Sequence, residues 1–176
     1  MQRLLVVGSE GFIGKHLSIS LEEDFEIEGV DLPEFDLRKP DTIKNFFEGQ
    51  AAVQPYFALI NCAGIMDATI SRESPDLFYD INGLKVLDLI QLAENFGVKN
   101  FIHLSSETVF GTSDYPKLDT DPRVPIHPYG ISKLLSELLI ASKDWTDIES
   151  WVLRLPVIVG LEQGLANPIS LFVSEA

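Results

Sequence analysis

Arg3-Leu4-Leu5-Val6-Val7-Gly8-Ser9-Glu10-Gly11-Phe12-Ile13-Gly14 decides how the rest of the chain is read. Residues 3–7 are a short apolar run that stops at glycine, the pattern of a buried parallel strand. From residue 12 to residue 21 the apolar side chains Phe12, Ile13, Leu17 and Leu21 fall close to helical spacing. The glycines at 8, 11 and 14 lie between strand and helix. Glycine there permits a tight turn, lets a pyrophosphate approach the backbone, and allows helix and strand to pack closely. The helix start offers free N–H groups and a partial positive charge to phosphate.

Working outward, residues 25–30 alternate toward a second strand, and Asp31 follows at its end, where a carboxylate accepts from ribose hydroxyls. Three spaced glycines alone would be an ordinary turn. Strand, glycines, helix, second strand and acid in that order predict dinucleotide binding by Gly8, Gly11, Phe12, Ile13, Gly14 and Asp31. Asp31 repels a 2′-phosphate, and Leu32 and Pro33 bring no cation, so the expected cofactor is NAD rather than NADP.

Strand-like and helix-like stretches continue to alternate. Residues 31–39 read as an irregular connection with one weak strand at 35–37, and Pro40 starts a helix to about residue 48. Residues 56–62 form a strand closed by Asn61-Cys62-Ala63-Gly64. Residues 75–96 form one long helix with Gly97 as its C-terminal glycine. A strand at 101–104 is followed by Ser105 and Ser106 just past its end, and residues 111–128 form a Pro- and Asp-rich loop. A helix at 128–142 and a strand at 151–155 follow, then Asn167-Pro168 as a helix start. The predicted fold is α/β, a Rossmann-type doubly wound parallel sheet with helices on both faces. Residues 1–176 are expected to be a single dinucleotide-binding domain.

The chain has 176 residues with 13 Lys+Arg against 27 Asp+Glu, a formal net charge of -14. That excess repels a nucleic-acid backbone, so nucleic acid is a poor candidate partner and none is expected. Cys62 is the only cysteine, which rules out an intramolecular disulfide and a cysteine-built zinc site. His16, His103 and His127 show no metal-ligand spacing, and no metal is expected. No apolar run approaches the ~20 residues that span a bilayer, so no membrane partner is expected. The start of the chain does not read as a signal peptide, and the expected compartment is the cytoplasm.

Tyr129-Gly130-Ile131-Ser132-Lys133 puts a phenol and an ammonium on one helix face. A tyrosine titrates near ~10, too high for acid–base work at neutral pH, and a neighbouring Lys charge is expected to lower it. Ser105 or Ser106 could hydrogen-bond the substrate oxygen. A Tyr and a Lys at this spacing are ordinarily a helix-surface pair. Beside a glycine turn and a serine-ended strand, they read as a site.

At this point the chain resembles the extended short-chain dehydrogenase/reductase family of nucleotide-sugar epimerases, dehydratases and reductases. GSEGFIG, Asp31, DLRKP, NCAG, SSETVFG, YGISK and LRLP carry the likeness in family order. The resemblance implies that Ser106, Tyr129 and Lys133 are catalytic and that Tyr129 and Lys133 also hold the cofactor. It places Asp36 and Leu37 at the adenine, Ala63 and Gly64 along the cofactor, and Pro156 and Val157 at the carboxamide. Thr108 stands where sugar dehydratases look to have a Glu, which argues against dehydration. SSETVFG is similar to the epimerases, whereas the short 31–40 connection and residues 72–78 are similar to dTDP-4-dehydrorhamnose reductases. Lys85-Val86 replaces a small Gly-Thr pair, so local helix packing is expected to differ.

The expected function is an NAD-dependent nucleotide-sugar epimerase, with a sugar reductase and a non-catalytic NAD-binding module as alternatives. Family members continue into a substrate-gripping region, whose start is expected at residues 160–176; the chain reads as a fragment or a cofactor-only remnant. Trp145 and Trp151 read as packing residues and Cys62 as a small buried one. The helix after Tyr129 spreads Ile131, Leu134, Leu135, Leu138, Leu139 and Ile140 beyond one stripe, which suggests a homodimer through that helix.

Overall fold

In the computed structural model, the described residues are 1–50, 54–66 and 73–160. Five strands, β1 (Gln2–Val7), β2 (Phe25–Val30), β3 (Ala58–Asn61), β4 (Asn100–Ser106) and β5 (Glu149–Leu155), form one sheet in the order β2-β1-β3-β4-β5. Every neighbouring pair is parallel. Helices α1 (Phe12–Leu21), α2 (Pro40–Gly49), α3 (Pro75–Tyr79), α4 (Lys85–Asn95) and α5 (Pro128–Ala141) make the crossovers. The Rossmann-type reading is therefore the fold observed. The chain order reverses between β1 and β3, where open parallel sheets bind ligands beyond the strand ends.

Strand alternation builds the two layers. Leu5, Val7, Leu59 and Phe101 pack with Ile43, Phe47, Leu89, Ile90 and Ile140 from α2, α4 and α5. Leu4, Ala58 and Ile60 face the other way, against Leu17 and Leu21 of α1. Each large side chain buried this way stabilises the fold by ~1.5–3 kcal/mol.

Four local expectations change. Residues 35–37 add no strand: Phe35 and Leu37 instead plug the core from a turn, leaving β2 at the sheet edge. The long helix is interrupted by a π-helical turn, Asp80–Leu84, between α3 and α4. There Gly83 lies so close to α5 that a Cβ on it would stand 2.6 Å from Leu135 Cδ2. Ser105 and Ser106 lie inside β4, because their pairing with Arg154 and Leu155 extends the ladder to Ser106. Trp145 is half-buried and donates its indole N–H to Ile140 O, but Trp151 is exposed on the sheet edge and does not pack as expected. Asn167, Pro168 and the region expected from residue 161 onward lie outside the described residues, as does Arg72 of the 72–78 segment.

Candidate active site

A cavity of about 530 Å³ opens beyond the carboxyl ends of β1, β3, β4 and β5. Gly8 and Gly11–Gly14 form one wall, Cys62 and Gly64–Met66 a second, and Leu104–Thr108 the floor. Tyr129, Lys133 and residues 155–158 complete it. The expected residues Gly8, Gly11, Phe12, Ile13, Gly14, Gly64, Ser106, Tyr129, Lys133, Pro156 and Val157 thus meet around one space. A broader, shallower depression between α1 and β2 contains none of the Ser, Tyr and Lys group.

The glycine turn leaves no room for side chains. Gly8 has φ 81°, and a Cβ on it would lie 2.7 Å from Ala63 N; at Gly14 a Cβ would lie 2.2 Å from Gly8 O. Gly11 caps α1 without a side-chain hydrogen bond, so the first-turn N–H groups beside the cavity are left to a ligand. This cradle fits a dinucleotide's pyrophosphate. Asp31 stands beside it rather than in the wall. Its carboxylate accepts the Glu10 N–H at 2.8 Å and the Leu32 N–H at 2.7 Å, tying the end of β2 to the turn.

Asp36, Leu37 and Ala63 also stand outside the cavity lining. The Asp36 carboxylate is buried against Arg38, which donates from Nε at 2.9 Å and Nη2 at 2.8 Å and holds the carboxyl down at about 2. Leu37 is a core side chain. Ala63 donates its N–H to Asn61 Oδ1 at 3.1 Å and backs onto Gly8.

On the other side, α5 turns a polar stripe inward: Ser132, Lys133, Ser136 and Glu137 are buried with Gly130 and Ile140. Lys133 donates from Nζ to Leu104 O at 2.8 Å, and burial pulls it down to about 8 against the opposing pull of Cys62 and Glu137. Its Nζ lies 6.0 Å from the centre of the Tyr129 ring. The expected lowering of Tyr129 is not what the structure shows. Burial pushes the phenol above its ordinary value, and only the hydrogen bond with Ser106 opposes it. Lys133 is committed to a carbonyl instead. Ser105 leaves the candidate list, since its hydroxyl donates to Glu137 Oε1 at 2.5 Å. Ser106, the other serine considered, faces Thr108 and Tyr129.

Several supporting residues escaped the sequence reading. Asn82, in the π-helical turn, accepts the Ile65 N–H and donates to Ile65 O, each at 2.9 Å, and to Ser132 Oγ at 3.2 Å. It pins the loop after β3 to α5. His103 does the same from β4. Asn61 Oδ1 is taken by Ala63 N–H, so Asn61 Nδ2 donates to His103 Nδ1 at 3.2 Å. Ser136 donates to Lys133 O at 2.7 Å, so His103 Nε2 carries the proton given to Ser136 Oγ at 2.9 Å. Every bond in this chain requires a neutral His103 protonated at Nε2, and burial holds its pKa well below the usual value.

Glu137 is the third supporting residue. It accepts from Arg154 at 2.9 Å and Arg123 at 3.1 Å, while Arg154 reaches Asp119 at 3.1 Å. This cluster, centred on the buried Glu137, joins α5, β4, β5 and the 111–127 loop. Two signals could have found it: Glu137 is one turn beyond Lys133, and Arg154 is the lone charge between apolar neighbours in β5. His127, at the end of the loop as expected, caps α5, its Nδ1 accepting the Gly130 N–H at 3.2 Å. Cys62 is half-buried beyond β3, and burial pushes its thiol up to about 12. Among the described residues no group of three or more His, Cys, Asp or Glu could hold a metal, and no helix is long and apolar enough to cross a membrane.

Comparison with known proteins finds relatives in both sequence and fold. The chain is 30% identical over 154 residues to dTDP-4-dehydrorhamnose reductase of Burkholderia thailandensis, covering 85% of this chain and 50% of that protein. It is 28% identical over 159 residues to UDP-glucose 4-epimerase of Streptococcus mutans, covering 82% and 47%. The chain therefore spans about half the length of these curated relatives. The structure of RMD from Pseudomonas aeruginosa complexed with NADPH superposes with a TM-score of 0.80 at 25% identity, over 99% of this chain and 61% of that one. Residues 4–174 match the model of the NAD dependent epimerase/dehydratase family, and the chain belongs to that family.

Proposed function

We propose that this chain is the cofactor-binding core of an NAD-dependent nucleotide-sugar epimerase or closely related reductase. The observation that carries the reading is that Ser106, Tyr129 and Lys133 share one cavity with the glycine turn. In this reading Gly8, Gly11 and Gly14, with the Phe12 and Ile13 N–H groups, hold the pyrophosphate. Asp31 takes the adenosine ribose hydroxyls, which favours NAD over NADP although the RMD structure carries NADPH. Asp36 and Leu37 lie toward the adenine, Ala63 and Gly64 run along the cofactor, and Pro156 and Val157 face the carboxamide. The bound nicotinamide supplies the hydride acceptor and donor.

The chain's own residues manage the proton. Tyr129 moves a proton at a sugar hydroxyl or ketone oxygen, and Ser106 donates a hydrogen bond to that oxygen. Lys133, which donates to Leu104 O, would hold the nicotinamide ribose, and its charge near Tyr129 would favour the phenolate. Thr108 in place of a carboxylic acid suits epimerisation or reduction better than loss of water. The reductase reading is favoured by the match to the Burkholderia thailandensis reductase.

Titration calorimetry with NAD and with NADP tests the cofactor half. NAD is expected to bind and NADP to bind more weakly, with Tyr129→Phe retaining NAD affinity. In a protein that includes the rest of the relatives' length, Tyr129→Phe is expected to abolish turnover of a nucleotide sugar. Undiminished turnover would remove Tyr129 from the mechanism.

The reading includes a cytoplasmic location, a single domain over residues 1–176 with the substrate region starting near residue 160, and a homodimer. Ile131 and Leu138 of α5 and Leu84 of the π-helical turn are exposed while the polar stripe of α5 is buried. That apolar surface suits a second copy of the helix. A dimer mass in light scattering at micromolar concentration is expected, and a monomer that persists there sinks the dimer.

A further inference from the structure

Thr108 stands two residues beyond Ser106, in the 3₁₀ turn Glu107–Phe110, and lines the same cavity. Its backbone N–H donates to Ser106 Oγ at 3.2 Å, and its hydroxyl donates to the same oxygen at 3.0 Å. A serine hydroxyl has two acceptor sites and a single proton. With both acceptor sites filled by Thr108, Ser106 has only its proton left to offer. The partner in reach is Tyr129, whose hydrogen bond with Ser106 favours the phenolate.

The turn that carries Thr108 is wedged in place on both sides. A Cβ on Gly130 would lie 2.7 Å from Thr108 O, and one on Gly111, which has φ 70°, would lie 2.2 Å from Val124 O. The start of α5 therefore presses directly on the turn, so Thr108, Ser106 and Tyr129 hold their places relative to one another. Glu107 is exposed and makes no such contact among those described.

We propose that Thr108 is a positioning residue whose hydroxyl fixes Ser106 as a donor, with its one proton directed at Tyr129 and, in place of the phenol, at a sugar oxygen bound beside it. This rests on the Ser, Tyr and Lys reading above and adds what orients the serine. A valine at position 108 keeps the backbone N–H and nearly the same volume. It frees one acceptor site on Ser106, whose proton is then no longer directed at the phenol. A serine at 108 loses the methyl group and keeps the directing hydroxyl.

The test uses the 176-residue chain labelled with ¹³C at tyrosine Cζ, followed by NMR with and without NAD. Tyr129→Phe identifies the Tyr129 signal among the 4 tyrosines. The Cζ signal reports both ionisation and the hydrogen bond accepted at neutral pH. In Thr108→Val the Tyr129 signal is expected to move at neutral pH, and Tyr129 is expected to become about a tenfold weaker acid. Thr108→Ser is expected to match the unchanged chain in both respects. A Tyr129 signal indifferent to valine, or displaced equally by valine and serine, overturns the proposal. Failure to bind NAD would count against the cofactor reading alone, because the unliganded spectra still report on Thr108.

Discussion

Helix α1 meets the cavity with backbone, whereas α5 meets it with side chains. At α1 the working parts are N–H groups, a turn at φ 81° and glycines too crowded to carry a Cβ. At α5 they are a phenol and an ammonium standing on a buried stripe of serines and a glutamate. The first arrangement is local, since a strand, a turn and a helix within 21 residues complete it. The second depends on partners from β3, β4, β5, the π-helical turn and the 111–127 loop. The lesson is that a phosphate cradle can be written in one short segment, but a tuned proton-transfer pair needs the whole sheet to hold it.

The sharpest way to break this comparison is at Glu137. Glu137→Leu removes the buried carboxylate shared by Arg154, which keeps the exposed Asp119, and by the partly exposed Arg123, so the loss is expected near the lower end of the ~3–5 kcal/mol that breaking a fully buried pair costs. Denaturant unfolding is expected to show that loss, and a change below ~1 kcal/mol would mean that solvent already screens the cluster. Gly14→Ala attacks the other half. Its Cβ meets the backbone of Gly8 and Ser9, so α1 must shift, at ~1–3 kcal/mol. NAD binding in calorimetry is expected to vanish while the α5 side keeps its fold. Retained affinity would show that the turn tolerates a displaced helix.

The smallest expected effect comes from pH and sharpens the comparison on the α5 side. His103 is held neutral when folded, with its pKa well below the ordinary 6.5. In the unfolded chain it takes up a proton near that value. The unfolded state therefore binds the extra proton, and stability falls as pH drops below about 6.5, by up to ~1.4 kcal/mol per pH unit until the folded pKa is reached. Nitrogen-15 NMR is expected to show a single ring proton, on Nε2, with no titration between pH 7 and about 5.5. A ring that titrates near 6.5 would dissolve the chain of bonds from Asn61 to Lys133.

Much of the fold was legible because its signals are short-range. Apolar runs that stop at glycine, helical spacing after Gly11 and Pro at the starts of α2 and α5 each reflect a preference satisfied within a few residues. The glycine turn was legible for the same reason. The 35–37 strand failed because Phe35 and Leu37 are apolar for the core's sake rather than for a ladder's. The break at Asp80–Leu84 was invisible because close packing of Gly83 on Leu135 connects positions far apart in sequence.

The sequence by itself determined the parallel α/β order, the backbone cradle at Gly8–Gly14 and the residue types Ser106, Tyr129 and Lys133. Those depend on periodicity and on local steric freedom, which neighbouring residues set. The tertiary structure alone decided that Ser105 is tied to Glu137, that Lys133 rests on Leu104 O, and that Tyr129 is held above its ordinary value. It also decided that His103 is neutral and that α5 buries its polar stripe. Hydrogen-bond partners and desolvation belong to groups brought together from distant segments, and no spacing along the chain encodes them.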